Sequence, residues 1–465
     1  MHIGGIRTAL FAYLWARKNN GTFILRIEDT DQKREVEGSI EHIQESLRWL
    51  GFVWNYGPDK PGPFGSCIQS ERLDTYQTYA KKLVAKGLAY PDPYTPEQVE
   101  AFRAEAVEKK KSFLFRNHRP TSMGVWDGTQ PLRFKVPEIK RWVWNDAVRG
   151  TLEAGEEMLD DFILIKSDGY PTYNFAHIID DYMMNVTHIF RSDEFISSTP
   201  RFLSLYEALE ITPPIFATLP PILREDRTKK LSKRDGAKDV LEYRNEGFLP
   251  GAVLNYLALI GWHPSGDREI FSFEEIVSEF TLERIQKAGA VFDSEKLTWF
   301  NRQHIMRLSD ADFSDHAHTF VPEWMTVKSD LFKRLTPILK EKISTFGDIT
   351  ALFAPTGELA FVRETAPYQK ESLLWKKNPD PVVARTHISK ARELIKDVPE
   401  ASFSVESIKA AVWHYAEANG KGDVLWPLRM ALTGQDKSPD PFMSAAILGK
   451  EESLRRIDAA LAKLA

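Results

Sequence analysis

A single cysteine, Cys67, is present in 465 residues. One thiol cannot build an intramolecular disulfide framework or a Cys-rich zinc site, a usage expected of a reducing compartment, so a cytoplasmic address is expected. Long apolar runs are missing too. GAVLNYLALIGW, from Gly251 to Trp262, stops well short of the roughly 18 residues that cross a bilayer and carries Asn255. No basic region followed by an apolar stretch opens the chain, so no secretory signal is read and no membrane partner is expected. Internal repeats and low-complexity tracts are absent. Charge of one sign is not in excess either: 61 Lys and Arg against 66 Asp and Glu leave a net charge of −5. Any polyanionic partner would have to be held by local basic patches.

The length suits about three domains at roughly 150 residues each. After His2-Ile3-Gly4-Gly5, residues Ile6, Ala9, Leu10, Tyr13 and Leu14 recur at helical spacing until Asn19-Asn20-Gly21. Phe23 to Ile27 reads as a short buried strand ending at Glu28, Asp29 and Asp31, and a second helix carries Ile40, Ile43, Leu47 and Leu50 on one face. Helix, strand, helix is half of a parallel α/β unit. Residues 91–161 change character, with a charged helix (PEQVEAFRAEAVEKKK), a basic and aromatic stretch (FLFRNHRP) and short strands in PLRFKVP and DAVRGTL, which together read as an inserted domain. The α/β signal resumes with Tyr173 to Ile179 and Val186 to Phe190 as strands. Ser198-Thr199-Pro200 then opens a helix with a hydroxyl cap and an early proline, turning Leu203, Tyr206 and Leu209 inward. An apolar strand in PPIFATLPPIL empties into REDRTKKLSKRDG, and from Tyr243 onward amphipathic helix dominates. The expected layout is an α/β first half at 1–90, the insertion at 91–161, the α/β second half at 162–225, a loop and connecting region at 226–300, and helical domains at 301–366 and 367–465.

Two short stretches suit phosphate chemistry. Glycines at a turn into a helix let a phosphate approach the backbone, the helix N-terminus offers free N–H groups, and His2 can hydrogen-bond a phosphate as its charge rearranges. Alone, HIGG is also readable as a surface histidine before a flexible turn. KLSKR sets Lys230 and Lys233 where two ammonium groups could clamp the β- and γ-phosphates of a nucleotide, or simply form a solvated basic loop. In this order, separated by an insertion, the pair resembles the two signatures of the class I aminoacyl-tRNA synthetases. Within that class the chain is similar over essentially its whole length to the bacterial-type glutamyl-tRNA synthetases. The likeness runs through HIGGIRTALF, LRIEDTD, GPFGSCIQSERLDTY, PLRFKVP, LIKSDGYPTYNFAHIIDD, VTHIFRSDE, TKKLSKRDG, GFLPGAVLNYLALIGW, FDSEKLTWFN, WPLRMALTG and LGKEESLRRID.

The resemblance implies a Rossmann-like α/β catalytic domain with an inserted acceptor-end-binding domain, followed by an all-α anticodon-binding region. It implies a glutamate–tRNA ligase, which activates L-glutamate with ATP to glutamyl-adenylate and passes the glutamyl group to the 3′-terminal adenosine of tRNA(Glu). The protein's part would be placement and charge stabilisation of an in-line attack. His2, Gly4 and Gly5 then lie along ATP, Lys230 and Lys233 reach the leaving phosphates, and Mg²⁺ accompanies the nucleotide. Arg191 matches the arginine that grips the side-chain carboxylate, a task that suits a guanidinium fork; its alternative is an ion pair with Asp193 or Glu194. Glu28 matches the carboxylate facing the α-amino group, at a strand end where ligands sit in open α/β sheets. Asp29 or Asp31 would instead cap the next helix. Tyr173 matches the tyrosine beside the substrate, with a core tyrosine as the alternative.

There are departures from the family pattern. His177 stands where family members often carry Asn, so the polar contact there is kept, altered or pH-sensitive. PDPYTPEQ replaces the cysteine-bearing segment that holds zinc in some members, so no structural metal is expected. The family's strand and R-x-A-P-S-P-T-G turn ahead of the histidine are not in this chain; the expectation is a misassigned or truncated start, about a dozen further residues in the working protein, and little activity from the chain as it stands. For RNA, Lys109, Lys110, Lys111, Arg116 and Arg119 beside Phe113 and Phe115 suit a single-stranded acceptor end. Lys340, Lys342 and Arg429 are candidate anticodon-side contacts. A monomer acting on tRNA(Glu) is expected, with tRNA(Gln) left open. The rivals are a glutaminyl-tRNA synthetase, whose C-terminal β-barrels the helical periodicity after Asn301 argues against, and an inactive tRNA-binding form.

Overall fold

Helical spacing after His2 is realised as α1 (Ile3–Lys18), with Ile6, Leu10, Phe11 and Leu14 fully buried. The helix begins at Ile3, so Gly4 and Gly5 lie in its first turn; Asn19 caps its end and Asn20 follows with a left-handed φ of 51°. The computed structural model describes residues 1–34, 36–227, 229–231, 238–327 and 329–465. These fall into two units, Met1–Arg244 with Pro250–Leu297, and Asn245–Leu249 with Thr298–Ala465.

In the first unit the helices that follow are α2 (Ser39–Trp49), α3 (Leu73–Ala85), α4 (Pro96–Glu108), α5 (Tyr173–Met183), α6 (Thr199–Leu209), α7 (Val240–Asn245), α8 (Pro250–Leu259) and α9 (Phe273–Glu279). The strands are β1 (Ala89–Pro91), β2 (Leu132–Phe134), β3 (Trp142–Asp146), β4 (Gly150–Ala154), β5 (Ile163–Ile165), β6 (His188–Ser192), β7 (Ile215–Leu219), β8 (Ile222–Leu223) and β9 (Ala290–Val291). One sheet runs β1-β2-β5, all antiparallel; a second runs β4-β3-β7-β6, parallel except for the β3–β4 hairpin; β8 and β9 pair parallel. In the second sheet Arg191 of β6 sits opposite Thr218 of β7. Helix α1 packs on β6, α8 and α9. One apolar core joins Tyr76, Phe134, Leu164, Phe175, Ile178, Phe202 and Tyr206.

Three local expectations need correction. Tyr173 to Ile179 is not a strand but the start of α5, packed against α3 and α6 with Phe175, Ala176, Ile178 and Ile179 buried. A fully buried apolar run has no period that separates helix from strand. Phe23 to Ile27 makes, among the described residues, isolated parallel bridges rather than a named strand: Ile24 to Tyr56 and Ile27 to Ile68. Between those partners the chain leaves for tight turns at Gly57–Lys60 and Gly62–Gly65, so no continuous ladder can form. The Ser198 hydroxyl makes no cap bond to α6, although Pro200 does occupy its first turn.

Helices follow through the rest of the chain: α10 (Ser294–Arg307), α11 (Asp310–Ala317), α12 (Asp330–Lys342), α13 (Asp348–Leu352), α14 (Pro381–Asp397), α15 (Val405–Asn419), α16 (Lys421–Thr433), α17 (Pro441–Leu448) and α18 (Lys450–Leu464). Side-chain caps from Asp380, Ser404 and Asp440 start α14, α15 and α17, as their residue types favour. Ile388, Val412, Leu428 and Ile457 are fully buried among α14 to α18. Among the described residues no helix is long and apolar enough to cross a membrane.

Candidate active site

His2 is the N-cap of α1, and its Nδ1 accepts from the Gly4 N–H at 3.1 Å. A Cβ on Gly4 would lie 2.9 Å from the imidazole Cε1, so a larger residue there would push that ring aside. At Gly5 the same atom would meet Met1 Cε at an ordinary 3.6 Å. His2 bridges Asp239, and the Val240 N–H donates to the Met1 carbonyl at 2.9 Å. The chain leaving the KLSKR stretch therefore runs beside the helix start. On the entering side Lys230 bridges Leu223 of the β8 strand, and its ammonium lies 3.2 Å from a Glu194 carboxylate oxygen. The Ser192 hydroxyl and Lys230 hold the Glu194 carboxyl below its ordinary range. Lys233 lies outside the described residues.

A second set of groups gathers where Arg26, α5, β6 and α6 meet. Arg191 is 6% exposed and donates through Nη2 to the Thr199 hydroxyl at 2.9 Å. Its guanidinium carbon stands 4.5 Å from the Phe216 ring centre and 5.2 Å from that of Phe202. Nε and Nη1 have no hydrogen-bond partner among the described residues. The proposed ion pair with Asp193 or Glu194 does not form: Asp193 lies 3.8 Å from Arg149, and Glu194 pairs with Lys230. Burial lowers the Arg191 pKa, opposed by Tyr173, Tyr206 and Asp181. A buried cation with Nε and Nη1 unpartnered, and with the second Nη2 hydrogen beside either of them, is poised for an anion of fork geometry.

Glu28 receives Arg26 Nη2 at 2.9 Å, while Arg26 Nη1 donates to Asp181 at 2.7 Å. Burial works against the Arg26 charge, but Asp181, Glu28 and Asp180 outweigh it and hold its pKa well above the ordinary value. Arg26 and Glu28 line a cavity of about 570 Å³ with Met1, Asp31 and Ile40. Asp29 accepts from the Ser70 N–H at 2.8 Å, and the N-cap of α2 is Gly38, so neither it nor Asp31 caps that helix. Asp180, fully buried, accepts from Gln69, Arg72 and Tyr76 at 2.8–2.9 Å and fixes the register of α5.

Tyr173 and His177, one turn apart on α5, stack with ring centres 4.7 Å apart. Burial and the Glu28 carboxylate raise the Tyr173 pKa, while Arg191 and Arg26 pull it down. His177 is 3% exposed, contacts the Tyr173 carbonyl through Nδ1 at 2.6 Å, and is pushed by burial down to about 4. The groups expected around an amino acid, Glu28, Tyr173, His177 and Arg191, thus share one electrostatic neighbourhood. Arg26, Asp181 and Tyr206 belong to it as well and were not singled out from sequence; the acidic pair closing the apolar run HIIDD was the available signal for Asp181.

The basic stretch of the insertion divides. Arg116 donates to the carbonyls of Glu156 and Leu159, and Arg119 holds both Asp161 oxygens at 2.7 Å. Both are tied to the protein, Arg116 through Nη1 alone, because FLFRNHRP folds as a turn clamped by Asp160 and Asp161. Lys109 pairs with Glu105, one turn back; Lys110 and Lys111 are exposed and make no ion pair among the described residues. Phe113 and Phe115 pack with Tyr94, Phe102 and His118. In the second unit Lys340 holds Asp310 and the Leu308 carbonyl, Lys342 holds Glu358, and Arg429 reaches the Asp436 carbonyl at 3.2 Å. Among the described residues, no group of three His, Cys, Asp or Glu side chains could hold a metal ion.

Residues 1–299 match the family described as tRNA synthetases class I (E and Q), catalytic domain, and residues 312–461 match an anticodon binding domain. The glutamate–tRNA ligase of Dehalococcoides mccartyi is 36% identical over 475 residues, which span 100% of this chain and 95% of that protein. The glutamate–tRNA ligase of Moorella thermoacetica is 38% identical over 472 residues, 99% of this chain and 95% of that one. Among solved structures, a glutamate tRNA ligase from Elizabethkingia meningosepticum in complex with its amino acid aligns with a TM-score of 0.84 at 34% identity, covering 100% of this chain and 97% of that chain.

Proposed function

Because the chain belongs to the glutamate–tRNA ligases, ATP-using enzymes of the class I aminoacyl-tRNA synthetases, we propose that its buried polar cluster selects L-glutamate and that its HIGG and KLSKR stretches handle the nucleotide. The observation that carries this reading is Arg191, a buried guanidinium with two of its three nitrogens unpartnered among the described residues. A side-chain carboxylate fills that fork. Glutamine would leave it partly unpaired, at a cost of roughly 1–3 kcal/mol. Glu28, held in place by Arg26, takes the α-ammonium, and Tyr173 and His177 wall the pocket.

In the first step a carboxylate oxygen of glutamate attacks the α-phosphorus of ATP in line, and the bond to pyrophosphate breaks. His2 at the start of α1 and the helix N–H groups beside it stabilise the phosphates, and Gly4 keeps the backbone approachable. Lys230 and Lys233 neutralise the departing pyrophosphate; for Lys230 this means leaving Glu194, an exposed pair that is cheap to exchange. Mg²⁺ would travel with the nucleotide phosphates, since it keeps several waters and needs few protein ligands. A ribose hydroxyl at the tRNA terminus then attacks the activated carbonyl and releases AMP. Lys110 and Lys111 on the insertion and Arg429 in the helical unit are left as candidate RNA cations, and a cytoplasmic monomer serving tRNA(Glu), with tRNA(Gln) open, is part of the same proposal.

Calorimetric binding of the two amino acids tests the selection. L-glutamate is expected to bind at least tenfold more tightly than L-glutamine, and pyrophosphate exchange in the presence of tRNA, at whatever rate the chain sustains, should depend on L-glutamate. Equal affinities would overturn the assignment.

A further inference from the structure

Near Arg191 three residues keep a buried polar atom with no hydrogen-bond partner among the described residues: Arg191 itself through Nε and Nη1, Tyr206 through its hydroxyl, and Asp181 through Oδ2. They are 6%, 1% and 4% exposed. Helix α6 presents Thr199, Phe202 and Tyr206 at helical spacing on one face. Thr199 accepts from Arg191, and the Phe202 ring lies under its guanidinium. Helical side chains lean toward the N-terminus of their helix, so Tyr206 reaches back over the turn that carries Phe202. The Asp181 and Arg191 charges both act on its hydroxyl, Asp181 the more strongly, yet the hydroxyl is not bonded to Asp181, whose other oxygen is held by Arg26 at 2.7 Å.

A buried hydroxyl without a partner destabilises the fold, and phenylalanine would avoid that cost. We propose that the Tyr206 hydroxyl is a further substrate-binding group, donating a hydrogen bond to the side-chain carboxylate that Arg191 grips. A neutral donor suits the place, because it adds a bond to the carboxylate without adding a second cation that Asp181 would capture. The inference rests on the reading of Arg191 as a carboxylate clamp.

Tyr206→Phe keeps the ring and removes only the unpartnered oxygen. The Kd for L-glutamate is expected to rise about tenfold, the value of one hydrogen bond to a charged group. ATP affinity should not change, and the Tm should equal or exceed that of the parent. An unchanged Kd for L-glutamate overturns the proposal, whether the Tm rises, as for an idle hydroxyl, or falls, as for one that braces the fold through water. Loss of both ligands together with a lower Tm overturns it too, since the ring rather than the hydroxyl would then matter. If the parent chain itself does not bind L-glutamate, the functional reading fails first and takes this inference with it; if the parent binds L-glutamate and the variant binds it equally, this inference alone fails.

Discussion

His177 should make the protein acid-sensitive by an amount that can be worked out. Its Nδ1 faces a carbonyl at 2.6 Å, which can only accept, so that nitrogen carries the proton of a neutral ring. Burial first, with Arg26 and Arg191 adding to it, pushes the pKa down to about 4, against the upward pull of the Tyr173 carbonyl and Glu28. In the unfolded chain the same ring titrates near 6.5. Between these values the unfolded state binds a proton that the folded state refuses, so unfolding free energy falls as pH falls. The stability is fully present above about pH 6.5; from His177 alone roughly 2 kcal/mol is gone at pH 5 and about 3 kcal/mol below pH 4. His177→Asn keeps a donor for the Tyr173 carbonyl and removes the titration. Urea unfolding of both proteins from pH 7.5 to 4.5 measures the effect, and the difference between the two curves should shrink or change sign by about that amount toward acid. Parallel curves would refute the neutral, buried histidine. The same depressed pKa leaves L-glutamate affinity flat from pH 6 to 8 as far as His177 is concerned.

Arg191→Met replaces an under-satisfied buried charge by an apolar chain of similar volume. It should hold or raise the Tm while weakening L-glutamate binding roughly 100-fold, and a Tm several degrees lower would show that the charge is structural after all. In the insertion, Arg119→Ala removes the cation from the fully buried carboxylate of Asp161, leaving it the Tyr90 hydroxyl and the Val136 N–H, and should cost about 3 kcal/mol in unfolding experiments, whereas the double change Lys110→Ala and Lys111→Ala should leave stability within about 0.5 kcal/mol and reduce the salt dependence of tRNA binding. Equal salt slopes for the parent and the double variant would remove these lysines from the RNA surface.

What could be read ahead of the structure, and what could not, follows from whether a signal is local. Helix α1 is local: its apolar spacing and its Asn-Asn-Gly stop lie within 21 residues and are realised, while the glycines read as a turn ahead of it fall inside its first turn. The strand expected at Tyr173 to Ile179 failed because its apolar run is buried all round, and only the partners of α5 decide its period. Partners are also what the sequence leaves out of the site. Phe115-Arg116 and Phe190-Arg191 are the same dipeptide, each arginine following a ring that the fold buries. In one, Asp160 ties the backbone into a turn and the guanidinium is spent on the carbonyls of Glu156 and Leu159. In the other, Phe202 and Phe216 enclose the guanidinium, Thr199 takes one N–H of Nη2, and the nitrogens Nε and Nη1 are left without a partner among the described residues. Folding free energy alone favours the first arrangement, whose half-buried guanidinium has two carbonyl partners, and penalises the second, which is buried with two nitrogens unpartnered. A residue kept in the penalised state gains most from a partner supplied from outside the fold, and the partner proposed for Arg191 is a carboxylate. Tyr206 differs in the same way from the satisfied Tyr76, whose hydroxyl is bonded to Asp180 at 2.8 Å: of two buried tyrosines in one core, one is finished by folding and the other keeps a hydroxyl for the proposed substrate contact.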